Sequence, residues 1–419
     1  MVLVRFLLFL CVFLAPMRAL AAAPTDLPSL FLVTAAASEA AYRGELPELL
    51  RARLVAAGWQ IASYETPGHR GTVGRFFHMV RTDADGAETH LIAFPGTERG
   101  SDVWTDLRIG RAVFGGTTPA EFLSMREAPV TERGETPLVH RGFLDYTQAA
   151  LFTDALPAYA GRTAGEAIAD ELRAYPDAQI YLTGHSLGGA AAVLAAARLS
   201  DLGVSPEQLI VTTFGAPAVG NAAFARRYEG KFTLRRVVMS GDPMKDILAK
   251  PLGFQQFGER VTWSPARSVA KFPHAMTVYV DAAIRRLCDA YGGERAYLFL
   301  MGTPDRTAGR TLYTLPIETK MDEVLTEDAP YMAAVLRDAL HVRSAHTVFA
   351  AGGGGLHEHL AAARAAGAQE MIAYRIAGAK IRDAHETYRI TLEHAVYDMD
   401  GNLIAAGSRS ARTGTLTPI

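Results

Sequence analysis

The hexapeptide Gly184-His185-Ser186-Leu187-Gly188-Gly189 sets a serine hydroxyl between small residues, and it can do chemistry only if the backbone lifts that hydroxyl clear of its surroundings. The flanks supply such a setting. Ala178–Thr183 (AQIYLT) has strand character and Ala190–Leu199 (AAAVLAAARL) has strong helix propensity, so Ser186 falls at a strand-to-helix turn. A turn that sharp strains the serine backbone, and glycine at 184 and 188 keeps side chains out of the adjoining strand and helix. A serine hydroxyl is a poor nucleophile at neutral pH, so it needs a histidine base, a carboxylate to hold that base, and donors for an oxyanion. With this turn the chain order is nucleophile, acid, base. Asp242 is the leading acid: it stands in Gly241-Asp242-Pro243, just after the β-rich run Phe232–Ser240, with Asp246 as the second candidate. His274 is the one histidine between Asp242 and a change of character near Gly293; His341, His346, His357, His359, His385 and His394 lie beyond it.

Five segments in order along the chain carry a family resemblance. They are Ala93-Phe94-Pro95-Gly96-Thr97, Asp102-Val103-Trp104-Thr105-Asp106-Leu107, Val139-His140-Arg141-Gly142-Phe143, the hexapeptide, and Thr213-Phe214-Gly215-Ala216-Pro217-Ala218-Val219-Gly220-Asn221. Together they resemble the class 3 lipase family of the α/β-hydrolase superfamily, over about 270 residues from Pro24 to Gly293. The resemblance implies an α/β fold with an α/β-hydrolase-type sheet flanked by helices. It implies Ser186 as nucleophile, Asp242 as orienting acid and His274 as general base. The oxyanion donors would be the Leu187 N–H together with the N–H and hydroxyl of Thr97. The implied activity is hydrolysis of a lipid carboxylic ester through an acyl-enzyme intermediate. Phospholipid acyl esters (a phospholipase A1) and non-lipid esters are alternatives with the same triad. An alternative of another class is an inactive hydrolase scaffold whose C-terminal domain binds a partner. The chain departs from the family pattern at Pro95, where arginine is usual, and in the short interval from Asp242 to His274. It also lacks paired cysteines.

Composition sets outer bounds. With 419 residues, 49% of them hydrophobic, the chain can bury a large core in two or three domains. Residues 1–23 read as a secretory signal peptide: Arg5 is followed by the apolar run Phe6–Leu14, and Ala19-Leu20-Ala21 or Ala21-Ala22-Ala23 offers a cleavage site. The expected location is therefore secreted or periplasmic. Cleavage removes Arg5 and Arg18 and no acid, taking the net charge from −2 to −4, which gives no attraction for nucleic acid. Of the two cysteines only Cys288 would remain, so stability must come from burial without a disulfide. No metal spacing or cofactor motif stands out: His357 and His359 are two apart on a helical run, whereas a zinc helix needs four.

Two stretches are read more coarsely. Arg108–Pro137 holds Val113, Phe114, Phe122, Leu123 and Met125, which suit either the apolar side of a mobile lid meeting a lipid surface or a surface loop with a short packed helix. Beyond Gly293 the alternation Tyr388, Ile390, Leu392, Val396 followed by the turn Asp400-Gly401 implies a hairpin. Residues 294–419 thus form a small α+β domain, and Glu358–Ser410 resembles a small uncharacterised bacterial envelope domain, which suggests an envelope partner.

Overall fold

The computed structural model describes residues 26–419 other than 69–70, 83–85, 87, 98–109, 131–133, 248–251, 270–272, 292–309, 344–345, 382–386 and 415. The signal-peptide reading and the Asp102–Leu107 segment lie outside the described residues.

A seven-stranded sheet organises the first unit, and its spatial order follows the chain. The strands are β1 (Trp59–Pro67), β2 (Val73–Thr82), β3 (Glu88–Phe94), β4 (Ile180–His185), β5 (Leu209–Phe214), β6 (Thr233–Met239) and β7 (Glu259–Trp263). β1, β2 and β3 form an antiparallel meander, and β3 to β7 run parallel. Parallel strands need crossovers that cover the sheet, which is why β4 is buried along its whole length. The helix Leu187–Asp201 has no polar face: its alanines and leucines from Leu187 to Leu199 are buried, and it packs on β4, β5 and β3. The helix Leu27–Ala40 is likewise buried almost all round and lies on β4. Among the described residues no helix is long and apolar enough to cross a membrane.

In the stretch left open between a lid and a packed loop, Phe114 and Phe122 are core residues, while residues 117–121 are exposed. Phe114 and Phe122 are each 1% exposed and meet the rings of Phe224, Tyr228 and Phe152 edge-on. Arg198 reaches from the Leu187–Asp201 helix to the Gly116 and Thr118 carbonyls and stacks 4.4 Å over Phe122. Gln148 donates to the Phe122 carbonyl at 2.7 Å. Residues 110–130 include the short helix Pro119–Ser124, with a Thr118–Glu121 capping box, which inserts Phe122 into the core cluster.

The chain separates into two compact units, the first ending at Trp263 and the second beginning at Ser264, ahead of the compositional change near Gly293. The helix Met276–Tyr291 belongs to the second unit because its side chains are tied to the helix Ala329–Arg343 and the turn before it. Arg285 pairs with Asp281 and Asp328, both 1% exposed, and Tyr331 donates to Asp289 at 2.9 Å. Cys288 is buried on that helix, and burial, with Asp338 and Asp289 adding to it, pushes its thiol up to about 11 and leaves it unreactive. The unit's six-stranded sheet comprises β8 (Leu312–Thr314), β9 (Glu318–Met321), β10 (Thr347–Phe349), β11 (Glu370–Lys380), β12 (Tyr388–Tyr397) and β13 (Leu403–Arg412). β11, β12 and β13 are antiparallel, and the expected hairpin turns at Asp398–Asn402.

Candidate active site

Ser186 is the single residue between the end of β4 and the start of the helix Leu187–Asp201. Its backbone sits at φ 55°, ψ −120°, and among the described residues only Ala160 shares a positive φ without being glycine. Such a conformation costs about 1–3 kcal/mol and persists only where the surroundings enforce it. Here they do. A Cβ at Gly184 would stand 2.3 Å from the Gly188 carbonyl carbon, and one at Gly188 would stand 2.1 Å from the Phe94 oxygen. The two glycines thus let the strand, the helix and the end of β3 touch, and the Ser186 N–H closes the corner by donating to the Phe214 carbonyl at 2.9 Å.

The first turn of a helix leaves N–H groups without intrahelical partners, and Ser186 provides no side-chain cap here. The Leu187 N–H is therefore a donor beside the serine, and the helix dipole favours negative charge at that end. Against it lies the segment following β3. Phe94 pairs with Gly184, and a Cβ on Gly96 would stand 2.7 Å from the His185 carbonyl oxygen. Phe94–Gly96 is thus wedged against the elbow, and half-buried Thr97 emerges next to it.

Sequence reasoning passed over Tyr42, which completes this wedge. Its hydroxyl is 2.7 Å from His185 Nδ1 and would lie 2.0 Å from a Cβ on Gly96. It fixes the imidazole adjoining the serine and fills the gap that Gly96 leaves, with no local motif to announce it. Tyr42→Phe removes that hydrogen bond from a histidine only 5% exposed, and urea unfolding should show a loss of about 1–2 kcal/mol.

Asp242 follows β6 in a tight turn: Gly241 has φ +87°, and the Asp242 N–H donates to the Met239 carbonyl at 3.0 Å. The carboxylate is 1% exposed, and its Oδ1 accepts from the Met244 N–H at 2.9 Å, which orients it. Asp246 closes the short 3₁₀ turn Pro243–Asp246. β4, β5 and β6 are successive parallel strands, so the serine and the aspartate leave the same sheet edge two strands, or about 10 Å, apart. In parallel sheets that edge is where ligands bind. Ser186, Leu187, Thr97 and Asp242 all belong to the first unit. His274 belongs to the second, half-buried in the turn that precedes the helix Met276–Tyr291.

The other recurrent motifs brace this edge. His140 caps the helix Arg141–Gln148, accepting from the Phe143 N–H, and burial pushes its imidazole down to about 4, so it is neutral. Asn221 caps the helix Ala222–Tyr228 and holds the Leu138 N–H and the Thr136 carbonyl.

The chain is similar to known proteins over part of its length. Residues 91–250 match the model of the lipase (class 3) family, the span that includes the Phe94–Thr97 segment, the elbow and Asp242. The lipase of Rhizomucor miehei is 35% identical over 127 residues, covering 29% of this chain and 31% of its own. Phospholipase A1-II 4 of Oryza sativa is 31% identical over 147 residues, 32% of this chain and 36% of its own. The chain spans about a fifth to a third of the length of the first curated relatives it matches. Among solved structures, lipase II from Rhizopus niveus superimposes with a TM-score of 0.40 at 22% identity, over 58% of this chain and 83% of its own.

Proposed function

We propose that the chain is a serine carboxylic ester hydrolase acting on lipid esters, with Ser186, His274 and Asp242 as its triad. The observation that supports it most is the strained Ser186 elbow, with uncapped helix N–H groups beside it and the Phe94–Thr97 segment wedged against it. The match to the lipase family over residues 91–250 supports the ester chemistry. The base is taken from chain order and from the family resemblance, in the stretch up to Gly293 that the sequence assigns to the hydrolase domain.

In this reading the Ser186 Oγ attacks the ester carbonyl carbon as His274 accepts the hydroxyl proton. The tetrahedral oxyanion accepts hydrogen bonds from the Leu187 N–H and from Thr97. Collapse breaks the bond to the alcohol, which leaves with the proton from His274, and an acyl-Ser186 ester remains. Water then gives a proton to His274, attacks the acyl carbon, and releases the fatty acid as the proton returns to Ser186. Asp242 holds the imidazole in one tautomer and stabilises its charged form. The substrate's acyl chain implies transient contact with a lipid surface. Residues 1–23 direct export to the periplasm or beyond, and residues 294–419 bind an envelope partner.

Labelling with an alkyl phosphonate and hydrolysis of esters from acetate to palmitate test the proposal. The phosphonate should appear on the Ser186 peptide by mass spectrometry, and turnover should rise with acyl length. Turnover confined to acetate would make the protein a non-lipid esterase, and release of fatty acid from phosphatidylcholine a phospholipase A1. An unlabelled Ser186 would end the serine-hydrolase reading.

A further inference from the structure

The sheet of the second unit carries a bare patch. Ala373 of β11 pairs with Ala395 of β12, and Ala395 pairs with Ala406 of β13, so three methyl groups stand in register on one face. The next row on that face is Arg375, Glu393 and Ser408. A cavity of about 790 Å³ opens over both rows, within the range of small-ligand sites. Its far wall includes His359, on the first turn of the helix Leu356–Ala365. This imidazole is only 9% exposed, and its Nδ1 lies 3.4 Å from the Tyr313 hydroxyl. Its Nε2 faces the edge of the cavity at Gly354, with no hydrogen-bond partner among the described residues. A ring nitrogen open to a cavity can give or take one hydrogen bond with a molecule held there.

The charge and shape of the groove select the ligand. The Arg375 guanidinium donates to Glu318 at 3.0 Å and to Glu393 at 3.4 Å, so two carboxylates face one cation. A fatty-acid carboxylate, a phosphate or a nucleic acid would therefore meet a net negative edge. The row alternates acceptor, donor and acceptor and continues into the Ser408 hydroxyl. Adjacent hydroxyls, each giving and taking one hydrogen bond, match that alternation. The alanine floor, about 10 Å across its three strands, suits the C–H face of a flat ring. A plain acyl chain has nothing to offer the polar row.

We propose that this groove binds a neutral saccharide, with its ring face on Ala373, Ala395 and Ala406 and its hydroxyls on the Arg375–Glu393–Ser408 row and on His359 Nε2. The site is independent of the ester chemistry assigned to Ser186. Saturation-transfer NMR on the full chain, with maltose, cellobiose and diacetylchitobiose at millimolar concentration, tests it against choline and decanoate as charged probes. At least one disaccharide should receive saturation. Ala395→Leu should weaken that binding roughly tenfold or more and leave ester hydrolysis unchanged. Ser408→Leu, on the exposed edge strand, serves the same purpose should Ala395→Leu lower the thermal midpoint. The proposal is overturned if none of the three sugars is saturated, if only choline or decanoate is, or if a folded leucine variant binds as tightly as the wild type.

Discussion

Ser186→Ala is expected to lower kcat for ester hydrolysis by about 10⁶-fold, and His274→Ala by a similar factor. Asp242→Asn should cost less, about 10⁴-fold, because a misplaced or wrongly tautomeric imidazole still accepts some protons. These effects belong to one machine, so the Ser186→Ala/His274→Ala double variant should be no slower than either single variant. Thr97→Val removes the hydroxyl proposed as an oxyanion donor and should cost about 10²-fold in kcat with little change in KM. The base is the sharpest part of the prediction. His185 is held by the Tyr42 hydroxyl, and His140 is a neutral helix cap, so neither is free to shuttle the serine proton. Steady-state kinetics on the four single variants decide between assignments. If His274→Ala retains wild-type turnover while Ser186→Ala is dead, the triad as drawn is wrong. If all four keep wild-type turnover, Ser186 is not the nucleophile, and if the wild type hydrolyses none of the esters, the first unit is an inactive scaffold.

The elbow is legible in the sequence because its spacing is imposed by contact: a side chain at 184 or 188 would strike backbone atoms of the helix start or of Phe94. The strand before it and the helix after it have matching propensities, so local and tertiary preferences agree. Where position depends on long-range packing, the sequence is mute. Tyr42 and His185 are 143 residues apart, and nothing near either marks the pair. The helix Leu27–Ala40 escapes a periodicity search because it is buried on nearly every side. Phe114 and Phe122 suit a lid or a core equally well by composition, and only Arg198 and the rings of Phe224, Tyr228 and Phe152 settle them in the core. The end of the first unit is hidden for the same reason. The helix Met276–Tyr291 is apolar on one face like its predecessors, but the Arg285–Asp328 pair, 43 residues apart, assigns it to the second unit.

The pH dependence of the first unit's stability should be set by histidines kept neutral by burial, which lose stability in acid, and by the carboxyls of Glu39 and Glu171, which burial raises and which oppose them. His78 and His90 are 3% and 5% exposed, and their facing ring nitrogens are 3.1 Å apart. Tyr159 meets the other side of His78 at 3.1 Å, and Glu88 lies 3.3 Å from His90. Burial first, and His90 second, hold His78 well below the ordinary value of 6.5, and burial alone pushes His140 down to about 4. For a depressed histidine the unfolded chain binds the proton first, so the contribution is present above 6.5 and is lost as pH falls through the folded value. For His140 that window runs from 6.5 to about 4 and amounts to about 2–3 kcal/mol. Glu39 works the other way: burial raises its carboxyl from 4.5 to about 7, so its contribution is present below 4.5 and is lost as pH rises through 7. His78 acts with His140 toward loss in acid, and Glu171, whose carboxyl burial also raises, acts with Glu39 against it. His140→Asn keeps a helix-capping acceptor but cannot titrate, and it should remove about 2–3 kcal/mol from the difference in unfolding free energy between pH 7 and pH 4. Glu39→Gln should steepen that difference by a similar amount. Urea unfolding at the two pH values measures both, and a His140→Asn curve parallel to the wild type would show that His140 is not held neutral by burial.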